Sequence, residues 1–154
     1  MEYGTIEREI HVEASPEVVY DVVSRPEHIR EWFPDEVDLE PTPGATGSFT
    51  WRGSDPDSAT SVPVTVVDAD PPRLFSFRWT HAEGESAASD NSLLVTIELE
   101  PVGSGTRLRL TETGFRERGW EAAVLEAQYN DHMGGWDVHV ARLSDYVARL
   151  VAAS

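Results

Sequence analysis

The chain has 154 residues, a formal charge of −16, no cysteine and no lysine. Disulfides, thiolate metal sites and cysteine nucleophiles are therefore excluded, as is Schiff-base chemistry on a side-chain amine. The negative charge repels phosphate backbones and anionic lipid heads, so no nucleic-acid partner is expected, and no apolar run approaches the ~20 residues of a bilayer span, so no membrane insertion is expected either.

The opening MEYGTIEREI has neither the basic region nor the hydrophobic stretch of a signal peptide, which makes the cytoplasm the expected compartment. Thr5 to Val12 alternates Ile6, Ile10 and Val12 against Glu7, Glu9 and His11, the pattern of a half-buried strand, with Arg8 on the apolar parity. At Ser15-Pro16-Glu17 an N-cap residue precedes proline at the first helical position, so a helix starts there, carries Val18, Val19, Val22 and Val23 inward, and stops before Pro26. A second short helix is predicted over Glu27 to Trp32, offering Ile29, Trp32 and Phe33 before Pro34.

Val37 to Glu40 reads as a short strand, followed by a Pro41-Thr42-Pro43-Gly44 turn. Ser48 to Arg52 alternates Phe49 and Trp51 against polar residues. After the polar loop GSDPDSAT, Val62, Val64 and Val66 share one parity, and because Pro63 lacks an amide donor that strand lies at an edge or contains a bulge. Asp70-Pro71-Pro72-Arg73 turns into Leu74 to Thr80, where Phe75, Phe77 and Trp79 face one way. The small, acidic HAEGESAASDN reads as an exposed loop. Two long strands follow, with Leu93, Val95, Ile97 and Leu99 inward in one and Leu108 and Leu110 in the other, joined by Pro101 to Gly105 as a hairpin.

Gly114-Phe115 ends the sheet. Gly119 to Gln128 is a helical run leading into the final segment, where Trp136, Val140, Leu143, Val147 and Leu150 stack on one face at three- and four-residue steps. Gly134-Gly135 interrupts this helix and predicts a bend or a close backbone approach. The order of elements, a strand, two short helices, about six strands and one long helix, predicts an α+β helix-grip fold: a curved antiparallel sheet of six or seven strands wrapped around a long C-terminal helix, one domain over residues 1–154.

In these residues the chain resembles the START-like superfamily, also called SRPBCC or Bet v-like, and within it the Aha-type group named after the activator of the heat-shock-protein-90 ATPase. The likeness is carried by Ala14-Ser15-Pro16-Glu17-Val18-Val19-Tyr20, the Pro26 to Phe33 segment with Trp32, and Asp70-Pro71-Pro72-Arg73-Leu74. Thr111-Glu112-Thr113-Gly114-Phe115 and His132-Met133-Gly134-Gly135-Trp136 with Leu143 complete it. It implies the fold and a broad range of activities, from lipid carriers, hormone receptors and cyclases to chaperone regulators and natural-product resistance proteins.

The rings Trp32, Phe33, Phe49, Trp51, Phe75, Phe77, Trp79, Phe115 and Trp136 either form a plain core or, taken together with Tyr129, His132 and Val140, line a ligand cavity. Glu112 shares the parity of Leu108 and Leu110 and points toward the helix, where His132 and Tyr129 lie within a turn or two of Trp136. The three are either an acid–base set or an internal hydrogen bond of Glu112 with Tyr129, His132 or Arg8. The histidines His11, His28, His81, His132 and His139 show no metal-ligand spacing, although His132 and His139 share a helical face, and Asp55-Pro56-Asp57 and Asp68-Ala69-Asp70 lack the features of a calcium loop. No metal and no cofactor are expected, and no GxSxG or phosphate loop occurs.

The expected function is therefore binding of a hydrophobic or aromatic small molecule, lipid or polyketide-like, between sheet and C-terminal helix, by a carrier, sensor or sequestering resistance protein. The rival is a cyclase- or hydrolase-type enzyme with Glu112 and His132 as acid and base and Tyr129 as orienting donor. A chaperone partner, implied by the family name, is opposed by the acidic surface and by the lack of the extra N-terminal module such activators carry.

Overall fold

A computed structural model describes residues 4–52, 59–79, 86–88 and 91–152. Seven strands form one antiparallel sheet: β1 (Thr5–Val12), β2 (Glu36–Asp38), β3 (Thr46–Trp51), β4 (Thr60–Asp70), β5 (Leu74–Trp79), β6 (Leu93–Val102) and β7 (Gly105–Thr113), in spatial order β1-β7-β6-β5-β4-β3-β2. Helices α1 (Pro16–Ser24) and α2 (Pro26–Ile29) follow β1, and α3 (Ala122–Ala152) closes the chain. The curved sheet and long terminal helix make the predicted helix-grip fold.

The local chemistry follows the sequence closely. Ser15 caps α1, its hydroxyl accepting from the Val18 amide at 3.4 Å, and Pro16 begins the helix. Alternation in β6 and β7 sends Leu93, Val95, Ile97, Leu99, Leu108 and Leu110 into the core, each at most 5% exposed. Gly47 is obligatory for a different reason: a Cβ there would lie 1.8 Å from the Asp38 carbonyl oxygen, so β2 and β3 meet this closely only over glycine.

Several expectations are corrected. The second helix spans only Pro26–Ile29, because four residues exhaust the segment before the chain turns Trp32 and Phe33 inward. Of the two placements read from Pro63 the bulge holds and the edge does not: β4 lies between β3 and β5, with Pro63 opposite Ser48, and its register shifts between Val66 and Asp68. There the Ser76 hydroxyl takes over from the ladder, accepting from the Asp68 amide at 3.1 Å and donating to the Asp68 carboxylate at 2.9 Å. The β6–β7 hairpin is tighter than predicted, with Val102 opposite Gly105 and Gly103 in the left-handed region at φ 62°.

Helix α3 runs without interruption through Gly134 and Gly135, and a Cβ on either glycine would meet nothing within 4 Å. The pair therefore marks open space rather than a close approach. Most of the two polar loops read from GSDPDSAT and HAEGESAASDN, together with Thr80, His81 and Asp55-Pro56-Asp57, lies outside the described residues. Among the described residues no helix is long and apolar enough to cross a membrane.

Candidate ligand site under the C-terminal helix

Glu112 is the centre of the site. Period two in β7 puts it on the core side with Leu108 and Leu110, opposite Ile6 in β1 and Val95 in β6, at 0% exposure. A carboxylate so placed is costly unless it is paired. One oxygen, Oε2, accepts from Trp79 Nε1 at 2.7 Å; Oε1 accepts from Trp136 Nε1 at 2.8 Å and from His132 Nδ1 at 2.9 Å. Three N–H groups converging on two oxygens suit an ionised carboxylate, which only accepts.

Of the partners expected for Glu112, His132 is present and the other two are elsewhere. Tyr129 lies about one turn before His132 on α3, over the start of β1, and its hydroxyl donates to the Thr5 carbonyl at 2.9 Å. Arg8 pairs with Asp137 at 2.7 Å and donates to the Met133 carbonyl at 3.5 Å. The predicted carboxylate, imidazole and phenol thus do not form one group.

Beside this cluster lies an open-sided hollow of about 290 Å³. The chain leaving α2 supplies Phe33, the strands β3, β4 and β5 supply Trp51, Val62 and Trp79, and α3 supplies Asp131, His132, Gly135, Trp136 and His139. Phe33 is its floor, with ring centroids 5.4 Å from Trp51, 5.4 Å from Trp79, 5.0 Å from Trp136 and 4.9 Å from His139. Because Trp79 and Trp136 direct their N–H groups at Glu112, ring surface is what they have left for the hollow.

Of the twelve residues expected to line a cavity, five do so: Phe33, Trp51, Trp79, His132 and Trp136. Trp32, Phe49, Phe75, Phe77 and Phe115 pack into the closed core, and Trp32 donates its N–H to the Val22 carbonyl at 2.9 Å. Val140 is buried on the inner face of α3, and Tyr129 packs edge-on against Phe115. Sequence reasoning passed over Val62, Asp131, Gly135 and His139 as lining residues. Val62 was legible from its parity with Val64 and Val66. His139 was legible too, since His132, Trp136 and His139 at steps of four and three share one face.

The two histidines are held in opposite ways. Burial alone pulls the His132 pKa down, but the hydrogen bond and charge of Glu112, with the charge of Asp131, outweigh it and raise the value above its ordinary 6.5. For His139 burial prevails and, with the Arg142 charge, lowers the value despite the hydrogen bond from Nδ1 to the Trp32 carbonyl at 3.3 Å. Among the described residues no group of three histidine, aspartate or glutamate side chains is arranged to hold a metal ion.

Comparison with known proteins agrees with the architecture. No curated protein matches the sequence. Among solved structures, the Mesorhizobium loti protein MLL2253 superposes with a TM-score of 0.75 at 21% identity, covering 94% of this chain and 97% of that one. Aha1 from Colwellia psychrerythraea, described as a dimer, gives 0.69 at 22% identity over 93% and 95% of the two chains. DynU16, a protein in the dynemicin biosynthetic locus, gives 0.72 at 19% identity over 94% of this chain and 47% of that one. These likenesses concern the fold. A family model, however, matches residues 13–148 from the capped first helix through the gripping one, and the chain accordingly belongs to the family of activator of Hsp90 ATPase homolog 1-like proteins.

Proposed function

We propose that this protein binds a hydrophobic or aromatic small molecule in the hollow between the sheet and α3, as a carrier, sensor or sequestering protein. The observation that carries this reading is the hollow itself: about 290 Å³ of space, open on one side and walled by Phe33, Trp51, Trp79 and Trp136. Ligand pockets run from roughly 300 to 1,000 Å³ and are mostly apolar with few polar groups. A lipid or polyketide-like guest larger than the hollow would seat one end there and project through the open side. The resemblance to DynU16, from a natural-product locus, fits a sequestering role.

His132 enters this reading as a fixed part of the wall, and Glu112 as the buried acceptor behind it that holds it in place. Acid–base use of the pair requires a carboxylate that substrate can reach, and this one is fully buried with both oxygens engaged. Titration with a library of lipids and polyketides, followed by the indole N–H resonances, tests the proposal. Ligand is expected to move the signals of Trp51, Trp79 and Trp136 and to leave Trp120, which lies under Arg118 outside the hollow, unmoved. If no compound shifts the first three, the hollow is not a ligand site.

A further inference from the structure

The walls of the hollow have a chemical bias. Four N–H groups on its lining rings are already bonded within the protein: Trp79 Nε1, Trp136 Nε1 and His132 Nδ1 to Glu112, and His139 Nδ1 to the Trp32 carbonyl. Among the described lining rings this leaves the Trp51 indole N–H as the main donor for a ligand's acceptors. Acceptors, by contrast, are on offer. Asp131 contributes a carboxylate at the rim, and among the described lining residues there is no arginine. His139, whose pKa is lowered mainly by burial, is neutral at neutral pH; with its proton on Nδ1, its Nε2 keeps a lone pair. His132 gains positive charge more readily than an ordinary histidine, but Glu112 lies against it at 2.9 Å and offsets that charge.

The remaining surface is π-electron density. Phe33, Trp51, Trp79 and Trp136 present rings whose faces attract a cation, and indole does so best. The chain as a whole carries a formal charge of −16, which concentrates cations and repels anions at any open cleft.

We infer that the hollow selects an organic ammonium, an aromatic or alkyl group carrying one positive charge, over neutral or anionic molecules of the same shape, with Asp131 as the counter-charge and the four rings as the cage. This inference rests on the reading of the hollow as a ligand site and adds the charge of what it takes.

Three probes of one shape test it on the full chain at neutral pH: naphthylmethylamine, naphthalenemethanol and naphthoate, titrated by calorimetry with the indole resonances as a second readout. The amine is expected to bind about tenfold more tightly than the alcohol, given the strength of cation–π contacts in partly desolvated sites, and naphthoate least well. Asp131→Asn, a change at an exposed position, is expected to shrink the amine's advantage over the alcohol about threefold. If the alcohol binds as tightly as the amine while the indoles respond, charge selection is overturned and the ligand site stands. If neither amine nor alcohol moves the indoles of Trp51, Trp79 and Trp136, the site and the inference fall together.

Discussion

The sheet presents the same alternating face at both ends, yet one end is closed and the other is not. At the closed end α1 lies across β5, β6 and β7, and Val19, Val22 and Val23, each at most 1% exposed, fill the space over rings such as Phe75, which Tyr20 meets edge-on at 6.3 Å. At the open end the covering helix offers Asp131, Gly135 and His139 to Trp51, Val62 and Trp79, and a hollow remains. Branched aliphatic side chains interdigitate to near-crystalline density, whereas here rings facing a glycine and polar side chains leave a gap. What lies opposite the rings, more than the rings themselves, determines whether a cavity survives.

The sharpest way to break this contrast is to truncate a ring at each end. Phe75→Ala is expected to cost about 3–5 kcal/mol, as for other buried rings, measured by urea unfolding. Trp51→Ala, at the half-buried lip of the hollow, is expected to cost well under half as much and to abolish ligand titration. Equal costs at the two ends would show the open end to be as tightly packed as the closed one.

Between the two ends stands Glu112, and Glu112→Gln comes next in size. The amide keeps the volume but replaces one acceptor with a donor facing an indole or imidazole N–H, so a loss of about 1–3 kcal/mol is expected. A stability unchanged within error would mean that the three converging bonds hold nothing together.

The histidines give a third, pH-dependent contrast. His132 has a raised pKa in the folded state, so its contribution is complete below the unfolded value near 6.5 and disappears as pH rises through the higher folded value. His139 has a lowered one, so its contribution is present above 6.5 and is lost as pH falls through the lower folded value. Imidazole NMR titrations are expected to place the two on opposite sides of an ordinary histidine, and Glu112→Gln to bring His132 down. The smallest effect is expected from Gly135→Ala, which adds helix propensity over open space and should stabilise by about 0.5–1 kcal/mol. Gly135→Leu converts the open end toward the closed one and is expected to block titration by filling the hollow.

The sequence made the strands, the capped first helix and the inward turn of Glu112 readable because each rests on a local rule: period two, or a serine before proline. The fate of Tyr129 was not readable. Spacing along α3 gave its face, but which strand it meets depends on where the helix crosses the sheet, a tertiary quantity that brings it to Thr5. The glycine pair misled for a related reason. Glycine serves equally for close approach and for leaving room, and only the opposing strands decide between them. Period two also sends Phe49, Trp51, Phe75, Phe77 and Trp79 inward alike, so nothing in the pattern separates packed rings from those at the rim.

Helix α3 is tethered along its length: to β1 through Arg8–Asp137 and Tyr129–Thr5, to the α2 region through Tyr146–His28 and His139–Trp32, and to the sheet through Glu112. Lifting it would strand a buried carboxylate, so passage of the proposed ligand would fall to rotations of side chains at the rim. Such rotations take picoseconds to nanoseconds when exposed, against microseconds or longer for displacement of a helix. If the hollow takes the proposed ligand, its exchange is expected to be ungated, with residence time set by the grip of the walls alone and no conformational step to slow release.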